Sequence, residues 1–172
     1  MIRLNRNEGF HSFLVRITEN TKCKNVDALV RKYSKLHQPK RKDTFARLRA
    51  DKDFFTAVST QLGINNSDLD FYFGGRIPQS GYLYDDYSQE LLDFEAIHDE
   101  LLPICLDCLS EYGHLQRSCD YKSSLYCSIH HKPLLHSCFH CGTPFKLRNF
   151  CSLDFCSFCG TRLNGKIATA AS

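Results

Sequence analysis

Long apolar runs are missing from this 172-residue chain. None approaches the roughly 18 residues needed to cross a bilayer, and the opening MIRLNRNEGFHSF lacks the continuous apolar core of a secretory signal. Both absences predict a cytoplasmic protein with no membrane partner. A phosphate-binding loop of the Gly-x-x-x-x-Gly-Lys type is also absent, and no arrangement of catalytic acids stands out, which argues against catalysis by this chain. Cysteine is scarce too in the first hundred residues, where Cys23 stands alone. Any site built on sulfur must lie beyond them.

Beyond them sulfur is abundant. Nine of the ten cysteines fall between Cys105 and Cys159, and in a reducing compartment such clustering points to metal ligands before disulfides. Charge is segregated as well. Residues 1–60 carry 14 Lys and Arg against 6 Asp and Glu, residues 61–103 carry 1 against 9, and residues 104–172 carry 7 against 4. A basic segment followed by an acidic one suits a polyanion or an acidic protein surface as partner, and suits a solvated surface equally well.

Apolar periodicity predicts helices in the first part. In GFHSFLVRITEN, Phe10, Phe13, Leu14 and Ile17 recur at helical spacing, the pattern of an amphipathic first helix. NVDALVRKYSKLH repeats it with Val26, Leu29, Val30, Tyr33 and Leu36, with Asn25 as N-cap and Asp27 in the first turn. HQPKRKD then breaks the pattern at Pro39 and places Lys40, Arg41 and Lys42 in a connection. DTFARLRA predicts a short helix, and DKDFFTAVSTQLG a longer one that stops at Gly63. INNSDLDFYF predicts another, with Ser67 as N-cap. Two helices joined by a tight Gly-containing turn have the shape of a helix-turn-helix unit, with Arg47 and Arg49 joining Lys40, Arg41 and Lys42 as candidate phosphate contacts.

FGGRIPQSGY reads as a loop, and DDYSQELLDFEAIHDELLP as an acidic connecting helix carrying Leu91, Leu92, Phe94, Ile97, Leu101 and Leu102 and ended by Pro103. The expected organisation is therefore a helical domain over 1–75, a loop and acidic helix over 76–103, a metal-binding domain over 104–163 and a disordered tail over 164–172. The fold class is a mainly α helix-turn-helix domain followed by tandem zinc ribbons, a small α+β unit stabilised by metal.

Four dyads carry the metal reading: CLDC at 105–108, CSIH at 127–130, CFHC at 138–141 and CSFC at 156–159. Two intervening residues let a tight knuckle offer two ligands to one tetrahedral ion, and two knuckles complete four-coordination of Zn²⁺. Pairing consecutive dyads gives one site of Cys105, Cys108, Cys127 and His130 and a second of Cys138, Cys141, Cys156 and Cys159. An interleaved pairing would make a cross-braced module instead. The sequential scheme is preferred because the seven residues between His130 and Cys138 suffice for a hinge but not for an inserted subdomain. Four protein ligands leave no open position, so both sites read as structural zinc, with the metal serving as the core of this region.

Several neighbours fall outside the ligand set. His131 follows His130 but misses the knuckle spacing. Cys151 reads as a free thiol, Cys119 and Cys23 as small buried residues, and His136 and His140 as solvent-facing or flanking groups.

Two resemblances bear on function. IHHKPL is similar to the His-His-x-x-Pro-Leu element of HNH endonucleases, in which a histidine acts as general base. Asn149 could supply a further group, yet no histidine lies beyond His140 to close such a site, and His130 is committed to zinc. The broader likeness runs through CLDCLSEYGHLQRSCDYKSSLYCSIHHKPLLHSCFHCGTPFKL, whose order of Cys-x-x-Cys, Cys-x-x-His, Pro-Leu-Leu and Cys-x-x-Cys-Gly resembles the TniQ family of transposon target-selection adaptors. NEGFHSFLVRITENTKCKN is similar to that family's opening helix, with Glu8, Ser12, Leu14 and Arg16 in comparable places. Together the two stretches cover most of residues 5–163, and the family's zinc ligands fall on the same eight residues. A tryptophan common between the first two dyads is replaced by Cys119, and longer members continue into a second helical domain.

The resemblance implies a short, non-enzymatic adaptor with a helix-turn-helix domain and two structural zinc ions. Its implied partners are an AAA+ transposition regulator, a CRISPR effector complex with guide RNA, and target DNA in the assembled complex, with action at the bacterial nucleoid. A zinc-dependent DNA-binding regulator is the alternative reading, and an HNH-like nuclease a more distant one.

Overall fold

A computed structural model describes residues 4–5, 7–34, 44–49, 51–73, 75–76, 83–85, 90–92, 98 and 100–164. The elements run α1 (Phe10–Asn20), α2 (Val26–Tyr33), α3 (Thr44–Leu48), α4 (Lys52–Leu62), α5 (Asn66–Phe73), β1 (Gly75–Arg76), β2 (Leu83–Asp85), β3 (Glu90–Leu92) and α6 (Leu106–Tyr112). No helix among the described residues is long and apolar enough to cross a membrane.

The first helix is more deeply enclosed than its periodicity predicts. Every residue from Phe10 to Thr18 except Arg16 is buried, including His11, Ser12 and Thr18. A helix covered on all sides needs a polar partner for each polar group it buries. Ser12 and Thr18 find theirs within one turn, on Glu8 Oε1 at 3.0 Å and the Leu14 carbonyl at 2.7 Å. The helix start is capped from far along the chain. Gly9 has no capping side chain, so Asp120 reaches in to accept the Phe10 N–H at 2.7 Å and the His11 N–H at 3.4 Å. A Cβ on Gly9 would sit 2.8 Å from Asp120 Oδ1, so the close approach requires glycine.

Local capping follows the sequence at α2, where Asn25 Oδ1 accepts the Ala28 N–H at 2.9 Å, and at α4, where Asp51 accepts the Phe54 N–H at 3.1 Å and Gly63 ends the helix with φ 65°. At α5 the cap moves. Asn65 Oδ1 receives both the Ser67 N–H (3.0 Å) and the Ser67 hydroxyl (2.8 Å). The expected cap, Ser67, is a donor inside the first turn, because the asparagine two residues earlier supplies the better-placed oxygen.

The acidic connection also departs from expectation. Residues 83–85 and 90–92 form strands, joined with β1 in a three-stranded antiparallel sheet ordered β1-β2-β3, with Leu83 opposite Leu92 and Tyr84 opposite Leu91. Short apolar groups such as ELL satisfy strand and helix patterns alike, and pairing with LYD across a hairpin supplies partners that a local pattern cannot show. The expected boundary at 75/76 cuts through β1. Residues 86–89, 93–97 and 99 of that stretch lie outside the described residues, as do Lys40, Arg41, Lys42 and the 165–172 tail.

One core joins the helices to the cysteine region. Phe10, Phe13, Phe45, Phe54, Phe55 and Phe73 form its helical part, with the Phe13 and Phe73 rings stacked at 4.1 Å between centroids. The same buried cluster continues through Leu102, Ile104, Leu109, Phe145, Leu147 and Phe150. Each such side chain contributes about 1.5–3 kcal/mol on burial, so metal is not the sole core of residues 104–163. Backbone bonds stitch the seam: Gly9 N–H to the Leu115 carbonyl (3.0 Å), Arg117 N–H to the Asn7 carbonyl (2.8 Å) and Val26 N–H to the Phe150 carbonyl (2.9 Å). The helices and the cysteine region share this core because the apolar faces of α1 and α2 are completed by residues more than a hundred positions away.

Candidate metal centres

Three of the four dyads share one backbone unit. In each, the first cysteine's N–H bonds to the carbonyl five residues on: Cys127 to Lys132 (2.9 Å), Cys138 to Thr143 (2.9 Å) and Cys156 to Thr161 (2.8 Å). The N–H four residues on returns to the cysteine carbonyl, from His131 (2.9 Å), Gly142 (2.8 Å) and Gly160 (2.9 Å). An isolated bridge closes each unit, Tyr126 with Pro133, Ser137 with Pro144 and Phe155 with Arg162. The returning residue must adopt a left-handed conformation. Gly142 and Gly160 do so at φ 71° and 72°, and His131 at φ 52°. His131 is thus the turn residue of its knuckle, held where the other two have glycine.

The first dyad is built differently. Cys105 is the N-cap of α6 and Cys108 lies in its first turn, so a helix start offers the two thiols, and Gly113 ends that helix at φ 71°. The expectation of four knuckles is corrected here: a spacing of three along a helix brings two side chains to one face as well as a knuckle does. Reciprocal bonds between Ile104 and Leu135, both 2.8 Å, lay the start of α6 against the Cys127 unit.

The eight candidate ligands gather in two groups, Cys105, Cys108, Cys127 and His130, and Cys138, Cys141, Cys156 and Cys159, with ligand atoms in each within 4.8 Å of one another. This is the sequential pairing and not the interleaved one. In the first group Cys108 and Cys127 Sγ are 3.5 Å apart, and His130 Nδ1 lies 3.3–3.5 Å from all three sulfurs. In the second, Cys138 and Cys159 Sγ are 3.7 Å apart, and Cys141 and Cys156 4.0 Å. A tetrahedral ion with bonds of ~2.3 Å to sulfur separates its ligands by roughly 3.7 Å. Both groups therefore fit a four-coordinate metal ion.

Flanking groups shape each site. Burial pushes the Cys105 and Cys108 thiols up. At Cys127 burial also pushes upward, but the N–H groups of His130 and Ile129 win and hold the thiol down at about 7. In the second group burial raises Cys156 to about 11, whereas the Thr161 hydroxyl and N–H hold Cys159 down at about 6 and Thr143 lowers Cys141. Lys132 Nζ meets Asp107 at 2.7 Å, bracing the Cys127 knuckle against α6.

Other singled-out residues separate clearly. Cys119 is buried, which pushes its thiol up to about 12, Cys23 is half-buried against the core, and Cys151 is exposed. His136 is exposed, with its ring 6.0 Å from that of buried His98, and His140 is exposed. Among the candidate phosphate contacts, Arg49 is only 2% exposed; its Nε–H donates to the Phe73 carbonyl at 3.2 Å and its guanidinium lies over the Phe10 ring. It is a core residue, because it supplies the end of α5 with a donor inside the aromatic cluster. Arg47 is half-buried.

Three residues of the opening-helix resemblance, Glu8, Ser12 and Arg16, were not anticipated as a unit. Glu8, completely buried, accepts from Ser12 and pairs with Arg16, while the Ser12 hydroxyl oxygen accepts the Leu115 N–H at 3.0 Å. Burial drives the Glu8 carboxyl up to about 7 against the pull of Arg16. Their spacing of four, from Glu8 before α1 to Ser12 and Arg16 within it, was the available signal. No protein-family model matches this chain, and no curated protein matches it.

Proposed function

We propose that this chain is a zinc-bearing, non-enzymatic adaptor of the TniQ kind, linking target-site recognition by a CRISPR effector and its guide RNA to the AAA+ regulator that recruits a transposase. The observation that carries the reading is the joining of its two motif sets. Glu8, just before α1, with Ser12 and Arg16 within it, forms the latch that meets Leu115, between the dyads. The residues that resemble the family at each end of the chain thus depend on one another in space.

A docking role has further support in the surface. Among the described residues, the exposed large apolar side chains are Tyr112, Leu125, Tyr126, Ile129, Phe139, Phe155 and Phe158, all in the cysteine-bearing part. Phe139 and Phe158 adjoin Cys138 and Cys159, whose sulfurs are 3.7 Å apart, so two exposed rings flank one metal site. Exposed aromatic groups on a rigid frame suit a protein interface.

The regulator reading, direct DNA binding through α4 and α5, is weaker. Arg49 is buried, and α5, NSDLDFYF, carries two aspartates and no cation, a poor complement to phosphate. The nuclease reading needs a histidine of IHHKPL as general base, yet His130 Nδ1 faces three sulfurs and His131 serves the turn.

Cosedimentation with the AAA+ ATPase assembled on DNA, and with a guide-loaded effector, tests the proposal. Binding to either that is lost in Phe139→Ser/Phe158→Ser while zinc content stays the same supports an adaptor. Binding to neither overturns it, and tight, salt-dependent binding to naked duplex would favour the regulator.

A further inference from the structure

Three residues recur at a spacing of three along the start of α6: Cys105, Cys108 and Glu111. Residues three apart on a helix share a face, so the face that offers two thiols to the first metal group also carries a carboxylate one turn further on. Glu111 Oε2 lies 3.1 Å from His130 Nε2, on the side of the ring away from the sulfurs, an ion-pair contact without an aligned hydrogen bond in this structure. His130 Nδ1, on the other side, is 3.5 Å from Cys105, 3.3 Å from Cys108 and 3.5 Å from Cys127.

A neutral imidazole carries one ring proton, and a metal ligand must leave the other nitrogen bare. The knuckle's own backbone contact, His130 N–H to Cys127 Sγ at 3.4 Å, fixes the residue and leaves both ring nitrogens untouched. A partner for Nε2 comes from α6. We propose that Glu111 is a positioning residue for the first metal site: by accepting the Nε2–H of His130, it holds the ring in the tautomer whose Nδ1 lone pair faces the ion.

The ring is held from two further directions. Tyr112, next along α6, sets its ring 6.1 Å from that of His130. Lys132, two residues after His130, is anchored to Asp107 on the same helix. α6 therefore grips the knuckle through Asp107 and Glu111, on either side of Cys108. The second site has four thiolates, which carry no tautomer to choose, and among the described residues no carboxylate plays the same part there.

The test uses the full chain loaded with zinc and a competing chelator. Glu111→Ala should weaken one of the two zinc equivalents by about 10–100-fold, the usual cost of removing the group that orients a histidine ligand. Glu111→Gln, whose amide oxygen can still accept, should stay within about 3-fold of the parent. In a His130→Cys background there is no ring to orient, so Glu111→Ala should change affinity less than about 2-fold. Long-range ¹H–¹⁵N NMR of the parent should show the proton on Nε2 and the metal on Nδ1. An equal loss in the His130→Cys background would make Glu111 a mere support of α6. That result overturns the proposal, as does a Glu111→Ala variant with unchanged affinity, or a ring that ligates through Nε2.

Discussion

The two metal groups have nearly the same ligands and opposite surroundings. In the first, Cys105, Cys108 and Cys127 are all buried, at 3%, 0% and 1% exposure; in the second, Cys138 and Cys156 are buried but Cys141 is half-exposed and Cys159 exposed. The first is made from a helix start and a knuckle, and α6 runs into the Leu115 backbone that receives α1. The second is made from two copies of the knuckle, near the end of the described chain. A metal in the first site would hold the seam between both halves, whereas one in the second would hold mainly its own loops. Equal coordination therefore does not mean equal structural weight.

Ligand removal should expose that inequality most strongly. Cys108→Ser is expected to lose one zinc and to destabilise the whole protein by at least about 4 kcal/mol, because it leaves a metal-sized defect beside the seam. Cys159→Ser should also lose one zinc, leaving about one per chain by elemental analysis, but cost only about 2 kcal/mol by thermal melting, with the helical signal retained. Equal losses would mean that the two sites share one folding unit. Next in size is the order of release. A chelator should take the zinc of the second site roughly ten times faster than that of the first, since the exposed edge opens at lower cost. Cys159→Ser should abolish the fast phase; simultaneous release would remove the distinction.

How much of this was legible beforehand depends on how far apart the partners lie. The two groups of candidate ligands could be named because knuckle chemistry is local: Cys, two residues, Cys or His. The same locality misled at CLDC, where one spacing serves a knuckle and a helix start, although LSEYG with its terminal Gly113 carried the signal for α6. Asn25 and Gly63 were legible as caps for the same reason. Asp120 capping α1 was not, since its partner Phe10 is 110 residues away. The shared core and the paired strands LYD and ELL are likewise products of chain return, invisible to periodicity.

The seam has its own smaller effect, dependent on pH. Burial holds the Glu8 carboxyl up at about 7, above its ordinary value of 4.5, despite Arg16. Between those values the folded state keeps a proton that the unfolded state releases. Stability from this group is therefore complete below about pH 4.5 and lost as pH rises through 7. Comparing zinc-loaded parent with Glu8→Gln, the parent should lose about 2 kcal/mol relative to the variant between pH 5 and pH 8. Parallel melting curves across that range would show that Arg16 keeps Glu8 ionised, and that the latch is a plain ion pair.

The smallest effect concerns His131, and it sharpens the comparison within the knuckles themselves. CSIHHKP, CFHCGTP and CSFCGTR place His131, Gly142 and Gly160 at one position, with φ 52°, 71° and 72°. A non-glycine residue in the left-handed region costs roughly 1–2 kcal/mol, of which glycine returns a part to the greater freedom of its unfolded chain. His131→Gly should therefore stabilise the protein by about 0.5 kcal/mol, with zinc content unchanged. His131→Val, branched at Cβ, should instead destabilise it by more than the glycine change stabilises it. A turn role predicts this pair of opposite signs, which melting of the zinc-loaded variants can read. A ligand or catalytic role predicts that both substitutions fail alike, with loss of zinc in the first case and of metal-dependent cleavage in the second.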